Sequence, residues 1–238
     1  MSATVSSDSE KDEPVTSQRL SGWEIRLVTL LSVIAGMVDL IGFMTLGNIF
    51  TAHITGNLVL ISAAFLRQVN PAQALAIPMF FIAVAATWLI ARATGRQGRA
   101  LTRLLLSVQF LLLACVLAAS VATGASGRPQ SAIAGIIAMI AVCAMATQHA
   151  LLRLTVPNAP STAVMTGNVT NAILALLDAL SLGKPLTEVA AERRFLRSFL
   201  LLVGFLGGCV SAAAAVYLFA DWAWLLPVVL AAAAVVLR

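Results

Sequence analysis

The sequence predicts an all-α membrane protein, a polytopic helix bundle of two repeats that each cross the bilayer three times. Three observations carry this prediction. Apolar residues make up 60% of the 238 residues and charged residues only 11%, whereas roughly 25% of residues are charged in soluble proteins. Stretches of about 20 apolar residues, the length that spans a bilayer, recur along the chain. The phrase Thr-Gly-Asn occurs at residues 55–57 and again at 166–168, 111 residues later.

The first 22 residues differ from the rest of the chain. They are rich in Ser, Thr, Asp and Glu, which predicts a disordered tail, placed in the cytoplasm. Acidic residues stand where a signal peptide needs basic ones and no cleavage site follows, so we expect the first membrane helix to be an uncleaved anchor. The net charge of +5 comes mainly from arginines between apolar segments. It indicates orientation and contact with the lipid bilayer rather than nucleic-acid binding.

Eight apolar segments follow the tail. They cover residues 25–46, 54–66, 72–91, 103–122, 130–151, 162–181, 195–219 and 222–237. Segments 54–66 and 162–181 begin at or near the repeated phrase, and the first of them is too short to span. Each is therefore predicted to be a broken or re-entrant helix. All four tryptophans (Trp23, Trp88, Trp222 and Trp224) fall at segment ends, where indoles favour the membrane–water interface.

Positive charge favours six crossings over eight. If the N-terminus is cytoplasmic and the two short segments add no net crossing, 12 of the 15 Lys and Arg residues are cytoplasmic, against 10 with eight crossings. The halves, residues 23–122 and 128–238, then cross three times each, and the second is inverted relative to the first. Inverted repeats recur in transporters, with the binding site between them. Eight crossings would make the halves parallel, and charge counting alone leaves that alternative open.

Two of the ionisable residues within the apolar segments, Asp39 and His149, are candidates for a site. Asp39 lies in the first segment, where a carboxylate costs about 2.5–3.5 kcal/mol on insertion scales and therefore needs a partner in the bundle interior. If the 111-residue offset between the two Thr-Gly-Asn phrases is applied to Asp39, the equivalent position in the second half is Ala150, which is next to His149. An Asp39–His149 pair across the axis between the halves would neutralise both groups and could relay protons. The alternative is that each residue only makes a hydrogen bond that orders the bundle.

The repeated phrase is the other candidate part of a site. Its Thr can cap the helix that follows, its Gly lets the backbone turn, and the free N–H groups of a helix start can hold an anion or polar group. Its Asn offers both a donor and an acceptor. The alternative is that these residues only satisfy backbone groups where helices cross. The expected substrate-binding residues are Asp39, His53, Thr55, Asn57, His149, Thr166, Asn168 and Asn171.

One stretch carries a resemblance. The sequence Ala-Gly-Met-Val-Asp-Leu-Ile-Gly-Phe at 35–43, Leu-Gly at 46–47 and His-Ile-Thr-Gly-Asn at 53–57 resembles the opening of the YoaK-like bacterial membrane proteins. Met-Thr-Gly-Asn at 165–168 is similar to the same family's pattern, and the resemblance covers nearly all of the chain after the tail. The family's defining domain carries a label of unknown function. The resemblance implies a multi-pass protein of the bacterial inner membrane, without a known substrate.

These features predict a secondary transporter or permease for a small polar solute. The alternative is a non-transporting membrane scaffold or partner subunit, whose polar residues only specify helix packing. The chain has no G-x-x-x-x-G-K-[ST], H-E-x-x-H or G-x-S-x-G motif, so we expect no enzyme activity, cofactor or metal. Gly204 and Gly208 predict a close helix crossing. The solute and oligomeric state stay open, with a homo-oligomer among the alternatives.

Overall fold

The computed structural model describes residues 20–63, 70–157, 159, 162, 165–180 and 188–236. The predicted disordered tail therefore lies outside the described residues as far as residue 19. Every regular element in the described part of the chain is a helix, which confirms the all-α prediction.

Each predicted apolar segment corresponds to a helix. The α-helices are α1 (Gly22–Thr45), α2 (Ile54–Ser62), α3 (Pro71–Thr94), α4 (Gly98–Thr123), α5 (Ala132–Thr155), α6 (Met165–Leu180), α7 (Glu188–Phe219) and α8 (Leu225–Val236). Short 3-10 turns, Ala125–Gly127 and Ala220–Trp224, follow α4 and α7.

Polar side chains set where three helices begin. The carboxylate of Glu24 accepts the backbone N–H of Ser21 at 2.6 Å, just before α1. The side chain of Asn70 accepts a backbone N–H in the first turn of α3 at 2.9 Å, and that of Ser131 does the same for α5 at 3.2 Å. Such caps satisfy N–H groups that have no partner inside the helix.

Five stretches of the described residues are long and apolar enough to cross a membrane. They are Gly22–Thr45, Pro71–Thr94, Gly98–Thr123, Ala132–Thr155 and Leu196–Val236. The last has 41 residues, which is about twice the length of one crossing, and the second 3-10 turn divides it between α7 and α8. With 9 and 16 residues, α2 and α6 are shorter than a span. The structure thus confirms a multi-helix membrane protein, while the number of crossings stays a prediction.

Helices α1 and α5 form the centre of the bundle. In α1, 67% of the membrane window is buried inside the protein, and in α5 78%, against 22–33% in the other candidate spans. α1 packs along α7 and also contacts α5 and α8, while α5 packs along α3 and α4. The two halves therefore share a core made by their own first helices.

A buried amide network fixes the rotation of α5. The Nε2 of Gln148 donates to the Leu31 carbonyl of α1 at 3.0 Å, and its Oε1 accepts from the Nε2 of Gln109 on α4 at 2.8 Å. Both glutamines are fully buried. Because hydrogen bonds are directional and costly to break in an apolar interior, this network fixes which face of α5 meets α1. His149, one residue later, then reaches the segment that follows α1.

Glycines let α1 and α7 cross closely. A Cβ at Gly36 would overlap the carbonyl of Phe205, and a Cβ at Gly208 would overlap the carbonyl of Val33. A Cβ at Gly204 would also approach the α1 backbone, at 3.3 Å. The predicted close crossing at Gly204 and Gly208 is confirmed.

One of the predicted interface residues is buried instead. Trp224 has an exposed fraction of 0%, because the second 3-10 turn contacts α1 and α4 and carries this ring into the core. Trp88 and Trp222 are exposed, as an interfacial position requires. The prediction that all four tryptophans lie at the interface is therefore wrong for Trp224, whose position in the chain marks a helix end but not a surface.

Candidate functional site

The segment between α1 and α2 folds back into the protein. Gly47 and Asn48 have φ values of 87° and 58°, in the left-handed region, so the chain turns immediately after α1. A Cβ at Gly47 would in addition overlap the side chain of Asn70. The returning segment, residues 49–53, reaches Asp39, which lies six residues before the end of α1 and hence about 9 Å inside that end.

Asp39 is bound by this returning segment. Its side chain is buried, with 4% of the residue exposed. Oδ1 accepts the backbone N–H groups of Thr51 and Ala52, both at 2.7 Å, and the Thr51 hydroxyl at 3.2 Å. Oδ2 lies 2.5 Å from Nδ1 of His53. The expectation that a carboxylate in this helix needs partners is confirmed, and several donors offset the cost of its burial.

His53 has one engaged nitrogen and one without a hydrogen bond. Nδ1 pairs with Asp39, and the ring packs edge-on against Phe205 of α7, with 5.0 Å between ring centroids. Nε2 is buried and has no hydrogen-bond partner among the described residues. A buried polar atom without a partner is costly, which makes this nitrogen a point where a ligand could bind.

His149 approaches the same segment from the second half of the chain. Its Nε2 lies 3.1 Å from the carbonyl of Ala52, and its Nδ1 lies 3.4 Å from the hydroxyl of Thr162. A carbonyl can only accept, so Nε2 carries the proton and donates it. In the neutral ring Nδ1 then accepts from the Thr162 hydroxyl, so one neutral tautomer satisfies both contacts.

Asp39 and His149 therefore meet on one residue. The Ala52 N–H donates to Asp39, and the Ala52 carbonyl accepts from His149. We call Asp39, residues 51–53 and His149 the junction. The predicted direct pairing of Asp39 with His149 is wrong in this respect: the side chain that contacts Asp39 is His53, because the returning segment lies between the two helices.

Asn57 holds the loop in shape. Its Oδ1 accepts the N–H of Phe50 at 2.9 Å, and its Nδ2 donates to the Phe50 carbonyl at 2.6 Å. The Phe50 ring lies against Gly56, where a Cβ would come within 2.7 Å of it. Thr55 is exposed in the first turn of α2, whose N-cap is His53, so it does not cap this helix as predicted.

The second repeat of the phrase lies in α6. Asn168 is buried, and its amide lies 3.9 Å from the sulfur of Met165. Thr166 and Asn171 are exposed on the same helix. Thr162, which precedes α6, contacts the junction at His149.

Two residues of the junction, Thr51 and Ala52, were not among the predicted site residues, and neither was Thr162, which contacts the junction at His149. A signal for two of them was present in the sequence, because Thr51 and Thr162 are 111 residues apart, as the two phrases are. Ala52 contributes only backbone groups, and no side-chain pattern could have identified it.

Comparison with known proteins gives a family and no activity. A family model described as "Protein of unknown function (DUF1275)" matches residues 27–237. A curated relative, the UPF0700 transmembrane protein YoaK of Bacillus subtilis (strain 168), is 46% identical over 44 residues, or 18% of this chain and 20% of the relative. The match thus spans about a fifth of that relative's length. No solved structure matches the chain.

Proposed function

This chain belongs to the DUF1275 family of proteins of unknown function, and from its geometry we propose a secondary transporter or permease for a small polar solute. One observation carries the proposal: ionisable residues from both halves converge on one irregular backbone segment inside an apolar bundle. Irregular backbone at membrane depth occurs where it is buried in protein or lines a cavity, and intramembrane ionisable residues mark ion or substrate paths. We place the protein in the bacterial inner membrane with a cytoplasmic N-terminus.

The helix packing supports two related halves. If α1 corresponds to α5 and α3 to α7, the packing of α1 on α7 has its counterpart in the packing of α5 on α3. Asp39 bonds to Thr51 in the first half, and His149 contacts Thr162 in the second. Such pairs of equivalent contacts are expected for repeats related by a two-fold axis, and with six crossings that axis lies in the membrane plane.

Nε2 of His53, which no described residue contacts by a hydrogen bond, defines the chemistry that the proposed site would recognise. With Nδ1–H donated to Asp39, neutral His53 presents Nε2 as an acceptor for a hydroxyl or amine. In the protonated ring the same nitrogen becomes a donor, suited to a carbonyl or carboxylate. The hydrogen-bonding role of this atom therefore changes with a single proton, which would couple solute binding to proton movement.

The remaining predicted residues are proposed to line the path to the junction. Thr55, Thr166 and Asn171 are exposed polar residues on α2 and α6, and each of these helices is shorter than a span. Asn168 is buried on α6. Discontinuous helices of this kind carry the substrate sites of several transporter folds.

A second candidate function rests on a specific contact. Asn57 bonds to both backbone groups of Phe50, so its amide stabilises the loop. If every polar group of the junction had only this role, the protein would be a membrane scaffold or partner subunit. The two proposals differ in what Asp39 does once the protein is folded.

Purified protein reconstituted into liposomes tests the two proposals. Wild type should show solute-dependent thermal stabilisation within a broad panel of polar metabolites, and proton flux reported by a pH-sensitive dye inside the liposome. Asp39→Asn keeps the size of the side chain and removes its charge, so we expect folded protein that has lost both signals.

Asp221→Asn is the matched control. Asp221 bonds to the N–H and hydroxyl of Ser126, at 2.9 and 2.8 Å, in the turn after α4, so the same chemical change is made outside the junction. This variant should keep both signals. Wild type without either signal would contradict the transporter, and activity of Asp39→Asn that falls only in step with its folded yield would favour the scaffold.

A further inference from the structure

Four amide side chains meet where α1 ends and where α3 and α5 begin. Asn70 donates from Nδ2 to Oε1 of Gln130 at 3.0 Å, and Gln130 donates from Nε2 to Oδ1 of Asn48 at 3.4 Å. Gln73 donates from Nε2 to the carbonyl of Asn48 at 3.0 Å. We call these four residues the latch. Because Gln130 lies two residues before α5, the latch joins the turn after α1 to the second half of the chain.

The latch holds one end of the returning segment, residues 49–53. Asn48 immediately precedes this segment, and its φ of 58° lies in the left-handed region, which a residue with a side chain seldom adopts. Gly47 is confined as well, since a Cβ there would meet the Asn70 side chain and, at 2.9 Å, the Pro129 carbonyl. The turn that leads into the returning segment is therefore packed between the start of α3 and the loop before α5.

The hydrogen bonds of the latch are weaker than those of the junction. All four side chains of the latch are uncharged, and Asn48 and Gln130 are exposed, so water competes for their hydrogen bonds. In the junction, the buried Asp39 carboxylate accepts two backbone N–H groups of the returning segment, both at 2.7 Å, and such charge-assisted bonds are stronger. A relative movement of the two halves would therefore break the latch before it broke the bonds of Asp39.

The returning segment closes the junction. Its residue Ala52 is 2% exposed and bonds to Asp39 through its N–H and to His149 through its carbonyl. The next residue, His53, keeps its Nε2 buried. Both residues belong to the segment that the latch holds at one end, so a displacement of this segment would expose the groups that are proposed to bind the solute.

We propose that the latch is a gate: when its hydrogen bonds break, the returning segment moves and the junction opens to a solute. The identity of what enters rests on the proposed function, whereas the movement itself does not. The returning segment is bonded to both halves, so its position responds to how the halves lie relative to each other. Alternating access by rocking of one repeat against the other requires such a response.

Two full-length variants in detergent test the latch without a solute. Gln130→Ala removes both latch bonds of this residue, and Gln97→Ala makes the same substitution at an exposed glutamine whose side chain does not cap α4. Hydrogen–deuterium exchange, followed by mass spectrometry, measures the opening of the amides of residues 47–53. The loss of a neutral hydrogen bond changes such an equilibrium by about two- to tenfold. We expect exchange to be faster by this factor in Gln130→Ala and unchanged in Gln97→Ala.

Diethyl pyrocarbonate, which modifies accessible histidine nitrogens, measures whether the junction opens. The chain has two histidines, and a peptide that contains His53 without His149 reports the modification of Nε2 of His53 by mass spectrometry. In Gln130→Ala this modification should be about two- to tenfold faster than in wild type, by the same opening equilibrium, and in Gln97→Ala it should be unchanged.

Unchanged exchange of residues 47–53 in Gln130→Ala would overturn the proposal. An equal rise in exchange throughout α7 would also overturn it, because that would show a general loss of stability. Faster exchange of residues 47–53 with unchanged modification of His53 would do the same, since the segment would then move without opening the junction. Both measurements are made without a solute, so they can fail while the liposome assay of transport succeeds, and the reverse.

Discussion

The crossing of α1 and α7 allows a prediction with an internal control. A methyl group at Gly208 would overlap the Val33 carbonyl, whereas nothing lies within 4 Å of a methyl group at the adjacent Gly207. Both glycines lie inside α7, where replacing Gly by Ala favours the helix by about 0.5–1 kcal/mol. Because this gain is common to both variants, their difference isolates the overlap, which costs about 1–3 kcal/mol for overpacking.

We therefore expect Gly207→Ala to be slightly more stable than wild type and Gly208→Ala to be less stable than Gly207→Ala by about 1–3 kcal/mol. Thermal and denaturant unfolding in detergent, followed by tryptophan fluorescence, measures both. Separation of the helices should also loosen the junction, because Phe205 of α7 packs against His53. Identical unfolding midpoints for the two variants would refute the reasoning, since they would mean that α1 and α7 do not cross at this glycine.

Two further predictions concern the loop and the topology. Asn57→Ala leaves the two backbone groups of the loop that Asn57 binds without their partner, which should lower the unfolding free energy by about 1–3 kcal/mol for each group. Asn171→Ala, on an exposed face, should change the unfolding free energy by about 0.5 kcal/mol or less. Equal effects of the two substitutions would show that the loop does not depend on Asn57. In a background without native cysteines, single cysteines at Gly22 and Arg99 should label from one membrane face and a cysteine at Arg128 from the other. If the cysteines at Gly22 and Arg128 label from the same membrane face, and the cysteine at Arg99 labels from the opposite face, the protein crosses the membrane eight times.

The helices could be located from the sequence because their signal is local. Each apolar segment became a helix whose ends lie within several residues of the predicted ones, since length and hydrophobicity are properties of consecutive residues. The close approach of two helices at Gly208 could also be predicted from the sequence, because small residues spaced by four lie on one helix face. Trp224 shows where this reasoning ends. Its position at a segment end follows from the neighbouring residues, but its burial depends on how a turn packs against two helices that are distant in the sequence.

The candidate site was predictable in place but not in its contacts. Asp39 and His149 were identified because ionisable residues in apolar segments are costly, and both reach the loop before the first Thr-Gly-Asn phrase. Their partners were not predictable, because a hydrogen bond requires atoms within about 3 Å, and that depends on the path of the returning segment. Because the returning segment follows this path, Asp39 contacts His53 rather than His149.

By itself, then, the sequence determined the membrane environment, the family, the helices and the two residues that must find partners in the core. These follow from the free energy of burying each stretch of chain in lipid, which sums over neighbouring residues. Only the tertiary structure decided that the backbone of Ala52 joins the two halves and that Nε2 of His53 finds no hydrogen-bond partner within the described part of the chain. Both depend on the turn at Gly47, which sends the chain back along α1 instead of out of the bundle.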